Sequence, residues 1–222
     1  MHSYKKYFQL FLERQYFADI SAKLVKMTNQ LKKQFDNIKE LKLGDTFWIN
    51  LNKNVKILIK IESVIPSDLT AFGQYDPATK TIDVAIKTIY GDDSSESLQY
   101  IRKKFPAKFE ETVRHELSHA YEDLVTNVYQ YTHSKVDPSV DYYGYINSTS
   151  EMNARLNEWV TSLLMYNKYI KNLYESRKLK PLVNAIVADI STYPEFFYIY
   201  EKNKKWFYKT IYTIIKKLLN VK

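Results

Sequence analysis

His115-Glu116-Leu117-Ser118-His119 reads H-E-x-x-H. On a helix, residues four apart stand one above the other on the same face, so two imidazoles can meet at one metal ion. Glu116 lies roughly 100° around the helix from His115 and can reach a water held on that ion. Two neutral nitrogen ligands beside a carboxylate base are the parts of a zinc hydrolase site. With only 4 His in the chain, chance produces the pattern on the order of once in a few hundred such sequences.

The flanking residues make this stretch a helix. Phe109, Val113, Leu117, Ala120, Tyr121, Leu124 and Val128 form one apolar stripe at helical spacing. His115 and His119 straddle the point opposite that stripe, on the polar side, where a cleft is expected.

Outward from this helix, the chain reads as alternating helical and extended segments. Tyr7, Phe8, Phe11, Leu12, Ile20, Leu24, Met27, Leu31, Phe35 and Ile38 predict helix from 4 to about 41, ended by Gly44-Asp45. Strands are expected at Thr46–Asn50 and Val55–Glu62, joined by the turn Asn52-Lys53-Asn54. Ala71–Tyr75 and Thr81–Ile86 flank Asp76-Pro77-Ala78-Thr79-Lys80, a hairpin signature. A short helix is expected over Ser97–Lys104, and Pro106 fits the first turn of the His-bearing helix. Asn127–Ser150 is loop-like, and Ser148-Thr149-Ser150 offers an N-cap for a helix starting near Glu151. Met152, Leu156, Trp159, Leu163 and Ile170 mark the buried side of that helix. The remainder is helical, with breaks near Pro181 and Tyr193-Pro194.

The chain is expected to form a single domain over 1–222. It comprises an N-terminal helical segment (1–44), a core (45–176) and a C-terminal helical extension (177–222). Hydrophobic content of 45% with 26% charged residues is ordinary for a globular protein. No Cys is present, so disulfides and thiolate ligands are excluded, and a metal site must use His, Asp, Glu or Tyr. Neither an uninterrupted apolar signal core nor a run of membrane-spanning length occurs, so a cytoplasmic or virion-associated location is expected and a membrane partner is not. The formal charge is +8, but the Lys residues are dispersed, with short pairs at Lys204-Lys205 and Lys216-Lys217. That distribution favours a solvated basic surface over a nucleic-acid groove, and a basic nucleic-acid-binding protein, which would leave the His-Glu-His cluster unexplained, is the third reading.

A catalytic zinc site takes three protein ligands. Glu151, 32 residues beyond His119, is the preferred third: it begins a helix, and Ala154 at i+3 allows a close helix–helix approach. Against it stands the general preference for acidic residues in a first helical turn. Glu158, on nearly the same face, and His133, in the intervening loop, are the alternatives.

H-E-x-x-H followed by a helix-borne Glu resembles the gluzincin pattern of the zincin metallopeptidases. Glu151-Met152-Asn153-Ala154 is similar to the E-x-x-A motif of several small bacterial and phage members. The hairpin Ala71–Ile86 resembles the strand pair that precedes the active-site helix in minimal zincins, and the likeness covers roughly residues 46 to 175. The metzincin third His is absent, its place read by Ala120-Tyr121-Glu122-Asp123-Leu124-Val125, and no thermolysin-like N-E-x-x-x-D is found.

The resemblance implies an α+β, zincin-like fold. A small, mostly antiparallel twisted sheet packs on the His-bearing helix, with a long N-terminal helix and a C-terminal helical bundle. It also implies Zn2+ held by His115, His119 and Glu151, Glu116 as general base, and a peptide or protein substrate. Tyr142, Tyr143, Tyr145 and His133 are candidates to stabilise the oxyanion, and Glu122 or Asp123 to orient a ligand. The competing reading is a structural or interaction protein on the same scaffold, for example a phage virion or assembly component, with a protein partner and a structural metal site. A structural site needs ligands but no base, so Glu116 favours catalysis.

Overall fold

The computed structural model describes residues 23–66, 68–69, 71–125, 142–146 and 148–219. They form two compact units, 23–125 and 142–219. The chain is α+β, mostly helical with one small sheet.

In the first unit, residues 23–37 are helical (α1). Leu24, Met27, Leu31 and Phe35 are its fully buried stripe, and the Phe35 ring meets Phe47, Phe105 and Phe109 at centroid distances of 4.9, 5.6 and 5.6 Å. The expected helix over 4–22 lies outside the described residues. Strands β1 (Thr46–Asn50) and β2 (Lys56–Glu62) bury Phe47 and Ile49, and Ile57, Ile59 and Ile61, as their alternation requires. The Asn52 side chain closes the turn between them, accepting from the N–H groups of Asn54 and Val55.

β3 (Gly73–Asp76) and β4 (Thr81–Ala85) form the expected hairpin. At its tip the Thr79 hydroxyl and the Ala78 N–H hold the Asp76 carboxyl below the usual carboxylate range.

The sheet order is β1-β2-β4-β3, with β2 and β4 parallel. The two outer pairs are antiparallel, so the sheet is mixed and mostly antiparallel, as expected, with one parallel pair at its centre. The chain leaving β2 returns first as the outer strand, so β4 slots between β2 and β3.

Ile86, expected to end a strand, opens a short helix, α2 (Ile86–Tyr90), which stops at Gly91 with φ 85°. α3 (Ser95–Lys104) starts two residues earlier than expected because the Ser94 hydroxyl caps it, accepting from the Ser97 N–H. α4 (Ala107–Leu124) carries the His pair and packs on β3 and β4. Pro106 stands at its N-cap, one position ahead of the first turn. Val128, the last residue of the expected stripe, lies outside the described residues.

The second unit consists of α5 (Tyr142–Ile146), α6 (Thr149–Tyr166), α7 (Lys168–Glu175), α8 (Leu179–Ile190) and α9 (Pro194–Leu218). Ile146, Leu156, Ile186 and Phe207 sit in one apolar cluster to which all these helices contribute. The segment read as a single helix from Glu151 to Ile170 breaks at Asn167. That side chain accepts from the N–H groups of Tyr169 and Ile170 and so caps α7. Pro181 falls in the first turn of α8, where a missing N–H costs nothing. Among the described residues, no helix is long and apolar enough to cross a membrane.

Candidate functional site

α4 brings His115 and His119 together as the pattern requires. Their Nε2 atoms are 3.2 Å apart, and the rings meet at 78° with centroids 4.9 Å apart. Two nitrogens each 2.0–2.1 Å from one ion, at the tetrahedral angle, stand about 3.3 Å apart. The pair therefore has the spacing of two ligands on one ion.

Its surroundings differ from the expectation. His119 is buried and His115 half-buried, and the polar side of α4 is not a solvent-facing surface. Glu110, Thr112, Arg114, Glu116, Ser118 and Glu122 are buried as well. Arg114, wholly enclosed, forms an i,i+4 ion pair with Glu110. Periodicity locates the apolar stripe of a helix but is silent on whether other chain covers the opposite side.

Glu116 is held by the sheet. The Tyr75 N–H, on edge strand β3, donates to Glu116 Oε2 at 2.8 Å. β3 lies close against α4 at Gly73, where an added Cβ would lie 2.8 Å from Thr112 Cγ2 and 3.0 Å from Glu116 Cγ. Tyr75 makes a second attachment: its hydroxyl donates to Asp123 Oδ2 at 2.5 Å, and Lys80 Nζ reaches the same oxygen at 2.7 Å. Asp123, considered above as a residue orienting a metal ligand, thus anchors the hairpin to the end of α4. Residue patterns did not single out Tyr75 or Gly73. A glycine inside a strand pattern, in a chain with only 4 Gly, was the signal that could have found the close approach.

In the second unit, Glu151 sits in the first turn of α6, capped by Ser148. An acidic residue placed there only for the helix dipole would be solvated, yet Glu151 is 1% exposed. Its Oε1 accepts from the Tyr145 hydroxyl at 2.7 Å, and Arg155 Nε lies 3.9 Å from Oε2. Glu158 is half-buried, two turns further along α6. His133 lies outside the described residues, as do the side chains of Tyr142 and Tyr143.

No family model, no curated protein and no solved structure matches this chain.

Proposed function

We propose that the chain is a zinc-dependent peptidase in which His115, His119 and Glu151 are the metal ligands and Glu116 is the general base. The observation that carries this reading is the His115–His119 pair at ligand spacing, with a sheet-held carboxylate between the two in sequence. Two imidazoles and one carboxylate, with no thiolate in the chain, form a donor set suited to zinc. The buried charge points the same way. Among the described residues the buried ionisable side chains include the carboxylates of Glu110, Glu116, Glu122 and Glu151, but only one guanidinium, Arg114. A bound divalent cation offsets that excess.

When bound, the ion supplies Lewis acidity and lowers the pKa of water to near neutrality. Glu116 takes the proton of the attacking water and returns it to the leaving amine. The Tyr75 N–H fixes one oxygen of Glu116 and so sets the direction of its carboxylate during that transfer.

The test compares wild type with Glu116→Gln for metal content and for cleavage of a mixed unfolded-protein substrate. One zinc per chain in both, with turnover reduced about 10²–10⁴-fold in the variant, is the expected result. Zinc in both and cleavage by neither would replace catalysis with a structural role. Absence of zinc from both after reconstitution would remove the metal site itself.

A further inference from the structure

We infer that Tyr145 is a positioning residue: its hydroxyl orients the Glu151 carboxylate for metal binding, and so acts through Glu151 instead of on the substrate. This rests on the metal reading above and assigns a different task from the oxyanion role for which Tyr145 was a candidate.

The local chain is built to hold the two side chains in register. Ile146, next to Tyr145, is fully buried in the apolar cluster of its unit, and the Tyr145 ring packs against the same cluster. The Tyr145 carbonyl accepts the Ser148 N–H at 3.0 Å, closing a turn. Ser148 then caps α6: its hydroxyl accepts the Glu151 N–H at 3.4 Å and its carbonyl the Met152 N–H at 3.0 Å. Met152, Leu156 and Val160 seat α6 in the cluster. Turn, cap and core thus fix both the Tyr145 ring and the Glu151 backbone.

The hydrogen bond itself is specific. A phenol donates one proton, and here it goes to Oε1 at 2.7 Å. The bond fixes which carboxylate oxygen faces the phenol. It also limits rotation of the carboxylate about its terminal bond, while Arg155 Nε stands 3.9 Å from Oε2, on the opposite oxygen. Donors of this kind on a ligating side chain raise metal affinity by fixing its orientation before the ion arrives.

The experiment measures metal affinity by chelator competition, on the full chain, for wild type, Tyr145→Phe, Glu151→Gln and the double variant, with folding checked by circular dichroism. The Co2+-loaded forms are compared by visible absorption, which reports ligand geometry independently of turnover. Tyr145→Phe is expected to weaken zinc binding about 10–100-fold and to change the Co2+ spectrum. In the Glu151→Gln background the same change should have no further effect, because Tyr145 acts through the carboxylate. Tyr145→His, which retains an N–H donor, should recover part of the loss and keeps the test open if the Phe variant folds poorly. Wild-type affinity in Tyr145→Phe, or full additivity in the double variant, overturns the inference while leaving the metal site standing. Failure of the wild type to bind metal ends both.

Discussion

Gly73 is where a single atom decides whether the base keeps its place. A methyl group there meets Thr112 Cγ2 at 2.8 Å and Glu116 Cγ at 3.0 Å, so one of these side chains, β3 or α4 must shift. Both neighbours belong to the helix interior, and overpacking of this kind costs about 1–3 kcal/mol. The shift also falls on the Tyr75 N–H to Glu116 bond, two residues along β3. Gly73→Ala is therefore expected to lower stability by about 1–3 kcal/mol, read by denaturant unfolding, and to reduce turnover more than Asp123→Asn, which loosens only the hairpin end. Thr112→Ser removes the closer obstacle while keeping the hydroxyl that bonds the Lys108 carbonyl, so it should restore part of the lost stability in the Ala variant. An Ala variant as stable and active as wild type would show that β3 and α4 do not constrain each other there. At this scale the sequence was legible where the chemistry is rare. The His pair and Glu116 stand out by type and spacing, whereas Tyr75 acts through its backbone N–H, which every residue but proline possesses.

Among the elements, side chains bond backbone groups on both edges of the sheet, and the two edges differ. On the β1 side, Gln34 Nε2 donates to the Trp48 carbonyl at 2.9 Å. Gln30 donates to the Asn50 carbonyl at 3.2 Å and accepts the Asn50 N–H at 3.0 Å. α1 thus occupies the Trp48 carbonyl and the Asn50 backbone groups of an edge strand that could otherwise pair with another chain. On the β3 side the bonding side chain is Glu116 itself. Replacing both glutamines by alanine reopens the β1 edge. The expected outcome is a loss of about 1–2 kcal/mol and faster concentration-dependent aggregation, measured by light scattering, with metal content unchanged. Aggregation no faster than wild type would mean the glutamines do not protect the edge. The elements themselves were legible because each carries its own period: alternation through Ile57, Ile59 and Ile61, and the three-four spacing of Leu24, Met27 and Leu31. The parallel pairing of β2 with β4 was not, since strand order is set by how a connection crosses the sheet and leaves no local pattern. The break at Asn167 was missed for a related reason: its capping hydrogen bonds replace a helix turn without any proline or glycine to announce it.

At the scale of the whole molecule, the formal charge and the charge of the buried side chains differ in sign. The chain carries +8, yet among the described residues the buried carboxylates Glu110, Glu116, Glu122 and Glu151 outnumber the buried guanidinium of Arg114. Composition registered the first fact and hid the second, because charge counted along a sequence does not distinguish a solvated lysine from an enclosed glutamate. The same blindness made α4 read as half-exposed: its polar residues looked like a surface, and enclosure of polar side chains depends on what the rest of the chain covers. Such an interior has a thermodynamic signature. An ion that binds the folded chain and not the unfolded one stabilises it by about 2.7 kcal/mol when present at 100 times its Kd. For a chain of this size each kcal/mol moves Tm by roughly 2–4 °C, so stripping the metal with a chelator should lower Tm by roughly 5–10 °C, and adding zinc back should restore it. Glu116→Gln keeps the proposed ligands and removes one buried charge. It should therefore show a chelator-sensitive Tm of similar size despite lost turnover, whereas His119→Ala should show little sensitivity. Equal sensitivity in His119→Ala and wild type would mean that the stabilising ion sits elsewhere, and that the buried carboxylates answer to a different cation from the one assigned to the histidine pair.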